Sequence, residues 1–344
     1  MVARLVCLAI LIGCGGKYGG APTTPTSQGK RGIEAAALPY SILDARTGRQ
    51  VDTAAFWATV GAAQVVCVGE DHPNPHHHWF QLEVMKHVSA HKPLALGMEM
   101  FQRPFQGVLD DYAAHRIDQS ALLSRSGYEE RWGYDFGFYA PTIDTAVAAG
   151  ASLLALNAPK ELTKKVVRHG LESLTPDEKR QLPELVLDDA AHRAWFDATM
   201  EDMGGAHAHG QQSTGADDSA HKPDDKAEDK VATTPPAEGD EPAMPSADRI
   251  YTAQVMWDES MADGAAQWVK RTPQGLLVLL AGNGHCHDSA IVNRIKRRGV
   301  DKVISLHPVL DTDGRVAEAL AKPMNDYVIV LELPADVKAR MDAQ

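Results

Sequence analysis

Apolar residues gather in short runs with little polar interruption. Gln64–Gly69 (QVVCVG), Leu94–Met98 (LALGM), Ser152–Leu156 (SLLAL), Leu276–Ala281 (LLVLLA), Val303–Leu306 (VISL) and Val328–Leu333 (VIVLEL) are the clearest. Runs that are apolar on both faces and rich in β-branched residues predict strands covered on both sides. Helical spacing fills the intervals. Asn74-Pro75 reads as an N-cap followed by Pro at the first helical position. It opens a helix to about His91 with Phe80, Val84 and Val88 on one face. Ser246 to Arg271 reads as another helix. Strand and helix alternate without an internal repeat, which predicts an α/β fold with a mainly parallel central sheet flanked by helices.

Two segments break the pattern. Residues 204–247 contain no aromatic residue and hold nine acids against three lysines, a net −6 that is half of the chain's −12. Such a stretch buries too little apolar surface to offset its ordering entropy. It reads as a disordered acidic insert interrupting one α/β domain over 38–344. The other break is the N-terminus, MVARLVCLAILIGC: one cation, Arg4, then a greasy run too short to span a bilayer. Leu11-Ile12-Gly13-Cys14 resembles the bacterial lipobox. Residues 1–14 therefore read as a lipoprotein signal with Cys14 acylated, and 15–37, rich in Gly, Thr, Pro and Ser, as a flexible tether. An ordinary cleaved signal is the alternative. Of the remaining thiols, Cys67 lies in a strand-like run and Cys286 just past another. They are expected to stay separate, with no structural disulfide.

Length and composition narrow the classes. The chain has 344 residues, 44% hydrophobic and 23% charged, enough for a real core without disulfide staples. A net charge of −12 argues against a nucleic-acid binder, which needs clustered Lys and Arg.

In an open α/β sheet, ligands sit beyond the carboxyl ends of the strands. The runs end in Gly69-Glu70-Asp71-His72, in Glu99, in Asn157 and Pro159, and in Gly282-Asn283-Gly284-His285-Cys286-His287. The glycines permit tight turns and close backbone approach. If these strands are neighbours, Glu70, His72, Glu99 and His285 converge on one crevice. They would then act as an acid/base group, or His72 and His285 would help hold a divalent metal. The plainer alternative is a set of solvated strand ends. His76, His77 and His78 follow at once, and consecutive helical residues cannot all face one ion.

Between Tyr128 and Tyr139, six of twelve residues are aromatic, in a chain that is 6% aromatic overall. Such a run lines a pocket for a flat ligand or fills a core. From packing alone the core reading is favoured.

Tyr40-Ser41-Ile42-Leu43-Asp44, GEDHPNPHHH, GMEMF, ERWGYDFGFYAP, LNAPKEL, AQVMWDESMA and AGNGH stand here in one order. In that order they resemble the ChaN-like haem-binding lipoprotein family of the Tiki superfamily, over about Pro39 to Leu310 apart from the insert. The resemblance implies a Tiki/erythromycin-esterase-like fold. It also implies a lipid-anchored protein of the bacterial outer membrane, on its periplasmic or surface face, that serves iron uptake. Haem would bind between two monomers of a homodimer, with a tyrosine on iron and basic side chains on the propionates. Tyr134 and Tyr139 are the first candidates for the iron, then Tyr112. His72, His78 and Lys160 are candidates for the propionates. The wider superfamily contains metal-dependent peptidases and erythromycin-esterase-like enzymes that share the Glu/His strand-end group. Hydrolysis is thus the rival, with Glu70 or Glu99 as general base and His72 and His285 binding metal or polarising the substrate. Binding protein is favoured over enzyme. The sequence departs from the family pattern at Cys286-His287-Asp288 and in the acidic insert.

Overall fold

The computed structural model describes residues 37–210 and 245–335, with the side chains of 203–210 left aside. The proposed signal, Cys14, nearly all of the tether and residues 211–244 of the insert lie outside the described residues.

Among the described residues, seven strands form one sheet: β1 (Tyr40–Asp44), β2 (Val65–Glu70), β3 (Leu94–Gln102), β4 (Ser152–Asn157), β5 (Leu276–Gly282), β6 (Val303–Leu310) and β7 (Tyr327–Leu331). Their order is β1-β7-β6-β2-β5-β3-β4. All neighbours run parallel except β1, which pairs antiparallel with β7 at one edge. The expected α/β fold with a mainly parallel sheet is what the chain adopts. Strand β1 was not anticipated from periodicity: it is short, and only Ile42 is buried in it.

Side-chain alternation divides the core into two layers. Val66, Val68, Leu96, Met98, Val278 and Leu280 enter one cluster. Val65, Cys67, Ala95, Leu277, Leu279 and Ala281 enter the other. Helices α1 (Thr53–Ala62), α2 (Pro75–Val88), α3 (Gln106–Ala113), α4 (Gln119–Ser126), α5 (Tyr128–Arg131) and α6 (Ala140–Ala148) precede β4. Helices α7 (Lys160–His169), α8 (Pro176–Lys179), α9 (Ala190–Gly210), α10 (Ala247–Arg271), α11 (Asn293–Arg297) and α12 (Arg315–Ala321) follow it. Among the described residues no helix is long and apolar enough to cross a membrane. Helix α2 starts as expected: the Asn74 side chain accepts the N–H groups of His76 and His77, with Pro75 at the first position. Residues 204–210, expected to open the insert, instead complete α9, and Ala247 opens α10 behind the Ser246 cap.

The cysteines overturn an expectation. Cys67, in mid-β2, and Cys286, beyond β5, form a disulfide with a Cα–Cα distance of 5.8 Å, although 219 residues separate them. The turn after β5 folds back on itself, with the N–H groups of His285 and Cys286 both donating to Gly282 O. That brings Cys286 into the core layer that contains Cys67.

Two strand-end glycines serve close approach, and neither has positive φ. A Cβ on Gly282 would stand 3.1 Å from the His72 ring. One on Gly69 would stand 2.1 Å from Asn283 Oδ1. Asn283 cannot yield freely, because its side chain donates to Asp71 at 2.9 Å and its N–H to Glu70 O at 2.9 Å. Gly69→Ala is therefore expected to cost about 1–3 kcal/mol, read as a lower urea midpoint at unchanged m value. Gly107→Ala, where a Cβ meets nothing within 4 Å, should leave the midpoint unchanged or raise it slightly.

Candidate functional site

The sheet order places β5 between β2 and β3, so the ends of three strands remote in sequence adjoin. Glu70 closes β2 and is 2% exposed. Its Oε1 receives His72 Nδ1 at 2.7 Å and the Tyr139 hydroxyl at 2.8 Å. Its Oε2 receives Gln81 Nε2 at 2.7 Å. Burial alone would raise this carboxyl, but the neighbouring imidazoles and the hydrogen bonds hold it at about 2. His72 keeps 13% of its side chain open. Burial lowers its pKa, but the bond to Glu70 and the charges of Glu70 and Glu99 outweigh that and raise it.

A second imidazole–carboxylate pair faces the first. His285 Nδ1 lies 2.7 Å from Asp258 Oδ1, and its Nε2 lies 3.4 Å from Glu99 Oε1. Glu99 is fixed in turn by the Gly282 N–H, which donates to Oε2 at 2.7 Å. Against the effect of burial, Glu99 and Asp258 raise the His285 pKa to about 8. Behind it, Asp258 Oδ2 lies 3.0 Å from His192 Nε2, both side chains fully buried. The four residues expected to converge do so.

The aromatic run divides between core and rim. Tyr128, Phe136 and Tyr139 are buried. Trp132 and Tyr134 are half-buried, with their rings 4.7 and 4.9 Å from His72. Trp132 Nε1 donates to the Tyr139 hydroxyl at 3.1 Å. On the other side, the Trp257 ring lies 6.0 Å from His285. Rim and crevice are one place.

The remaining candidates lie elsewhere or are engaged within the protein. The Tyr112 hydroxyl donates to Asp144 at 3.2 Å, and burial with that charge raises its pKa to about 12. Tyr139 sits beneath the surface, and its pKa is well above the ordinary value through burial and Glu70. His78 is buried, with Nε2 donating to the His72 carbonyl at 2.7 Å and Nδ1 3.1 Å from Gln81 Oε1. The Lys160 ammonium donates to the carbonyls of Glu130 and Arg131. Among the described residues no group of three or more His, Cys, Asp or Glu side chains is placed to hold a metal ion. The metal reading of His72 and His285 thus finds no support. Both His285 nitrogens already face carboxylates.

Asp258, Gln254, Gln81 and His192 also belong to this site, although their place in it does not show in the sequence as a strand-end motif. Gln254 and Asp258 stand four apart on α10, both against His285 Nδ1, so their i, i+4 spacing was the available signal. His192, on a helix with weak patterning, gave none.

These shifts predict how stability depends on pH. Glu70 contributes stability above pH 4.5 that is lost as pH falls toward 2. His77 and His287, held neutral by burial with pKa near 4 and 3, contribute stability above pH 6.5 that is lost as pH falls through those values. His285 contributes stability below pH 6.5 that is lost as pH rises through 8. Denaturant unfolding at stepped pH should give a maximum between those arms. Glu70→Gln should flatten the acid side and His285→Gln the alkaline side.

A model of the haem-binding uptake family, Tiki superfamily, ChaN, matches residues 56–295. ChaN of Campylobacter jejuni, a protein described for its cofacial haem binding, is similar in structure at 14% identity, with a TM-score of 0.58 over 85% of this chain and 96% of that one. The type III effector HopBA1 is a weaker likeness at 9% identity, with a TM-score of 0.40 over 81% and 92% of the two chains. No curated protein matches. With most of its length covered, including both dyads and the aromatic rim, the chain belongs to the ChaN haem-binding uptake family of the Tiki superfamily.

Proposed function

We propose that this chain binds haem at the aromatic rim over the strand-end crevice, with Tyr134 as the iron ligand. The observation that carries this is the placement of Tyr134 beside Trp132 and His72 at the mouth of the site. Tyr139 is buried beneath this rim, and Tyr112 is paired with Asp144 instead of packing on His72, which makes both poorer candidates. The residues fit the group: a flat apolar macrocycle suits half-buried indole and phenol rings, and tyrosine is an accepted haem-iron ligand. Bound there, haem would supply the iron and this chain the pocket, the phenolate and the shielding from water.

Cofacial haem binding by the Campylobacter jejuni protein supports a homodimer with the rims of two chains facing each other. The lipobox-like Leu11-Ile12-Gly13-Cys14 supports acylation at Cys14 and attachment to the outer membrane, where the protein would serve iron uptake.

Hydrolysis stays as a second reading, because the Glu70–His72 and Asp258–His285 pairs face each other across Glu99. One imidazole would accept a proton and the other donate one, without a metal.

Hemin titration of the mature chain should give a saturable Soret shift. Tyr134→Phe should move the band and weaken binding at least about tenfold, or 1.4 kcal/mol, while Tyr112→Phe should do neither. A flat titration of the parent chain would remove the haem reading. For the second reading, turnover on an ester and peptide panel should fall by about 10²–10⁴ in Glu99→Gln and His285→Gln. An inactive parent chain would remove that one.

A further inference from the structure

We propose that the Cys67–Cys286 disulfide is a latch that positions His285, so that the crevice is complete only in an oxidised chain. Cys286 follows His285 directly in the turn after β5, and its sulfur is bonded to mid-β2. The His285 ring must reach Asp258 on α10 and Glu99 on β3 together. A turn residue holds two such contacts only if its backbone is fixed to within a few tenths of an ångström. Cys67 stands three residues before Glu70 on the same strand, so one covalent bond ties the His285 turn to the strand that carries the partner of His72. It thereby adds a covalent tie to the hydrogen bonds that space the two dyads.

Hydrogen bonds hold the turn as well: β5 pairs with β2 as far as Gly282 opposite Glu70, and Gln254 Nε2 donates to Gly284 O at 3.1 Å. Asn283 is tied to Asp71 and the Glu70 carbonyl. Asn325 Nδ2 donates to the Cys286 carbonyl at 2.6 Å, and the Asp288 N–H donates to Met324 O at 2.8 Å. The latter two anchor the turn toward β7, away from β3. The disulfide is the covalent tie that runs inward to the centre of the sheet.

Burial decides the kind of device. Cys67 is 0% and Cys286 1% exposed, so a soluble reductant cannot reach the sulfurs in the folded chain. The latch is a maturation step, not a reversible switch. The two thiols give two protons and two electrons to a disulfide donor, which leaves as two thiols while the Sγ–Sγ bond forms. The step needs a compartment that holds such donors. It stands whichever ligand the crevice takes.

The test uses the full chain and needs no ligand. Peptide mapping without reduction should find the Cys67 and Cys286 peptides joined. In the oxidised chain, the His285 Nδ1 proton shared with Asp258 should appear as a downfield imidazole resonance. In Cys67→Val/Cys286→Ala, with circular dichroism unchanged, that resonance should be lost. Amide exchange at Asn283–His287 should quicken about tenfold or more. The His78 Nε2 proton, donated to the His72 carbonyl, should persist as the internal control. If the variant does not fold, the parent chain refolded with and without a dithiol supplies the same comparison. Separate peptides in the native chain, or a His285 resonance unchanged without the bond, would overturn the proposal.

Discussion

Three carboxylates are buried at or beneath the carboxyl ends of the sheet: Glu70, Glu99 and Asp258, exposed by 2, 5 and 0%. Taking an ionised carboxylate out of water costs several kcal/mol unless charge and hydrogen bonds reach it. The site is built around meeting that demand. Glu70 is met by His72, Gln81 and Tyr139, Glu99 by the Gly282 amide and His285, and Asp258 by His285 and His192. The aromatic rim depends on the same demand. Trp132 donates to Tyr139, and Tyr139 donates to Glu70. A ring at the mouth is therefore oriented by a charge at the floor.

Half-buried rings stand at the rim, and the floor beneath carries two imidazoles with raised pKa. Removing one partner strands a buried charge, which typically costs 3–5 kcal/mol. A remote anchor completes the assembly: the bond from Cys67 to Cys286 links the strand under one dyad to the turn that carries the other.

The sequence made the six both-face-apolar strands legible because parallel strands buried on two sides need continuous apolar runs. It made the convergence of Glu70, His72, Glu99 and His285 legible because ligands collect at strand ends. Strand β1 escaped because its pattern is half-buried and its partner, β7, lies at the far end of the chain. The disulfide escaped because nothing local shows a turn folding 219 residues back onto β2. Asp258 escaped because a helix that is buried nearly all round hides the carboxylate that pairs with His285 among core positions. The aromatic run has no period, so its division into core and rim needed the packing of Phe136 and Tyr139 to be seen.

On the proposed function, rim and floor form one binding place. Gallium protoporphyrin, a diamagnetic stand-in for haem, reads this out through the imidazole and indole resonances of the whole chain. Ring-current shifts should appear at His72 and at the Trp132 indole proton, while the buried His287 and the Tyr112–Asp144 pair stay unmoved. Shifts centred on Tyr112, or a bound porphyrin that leaves His72 and Trp132 unchanged, would contradict it.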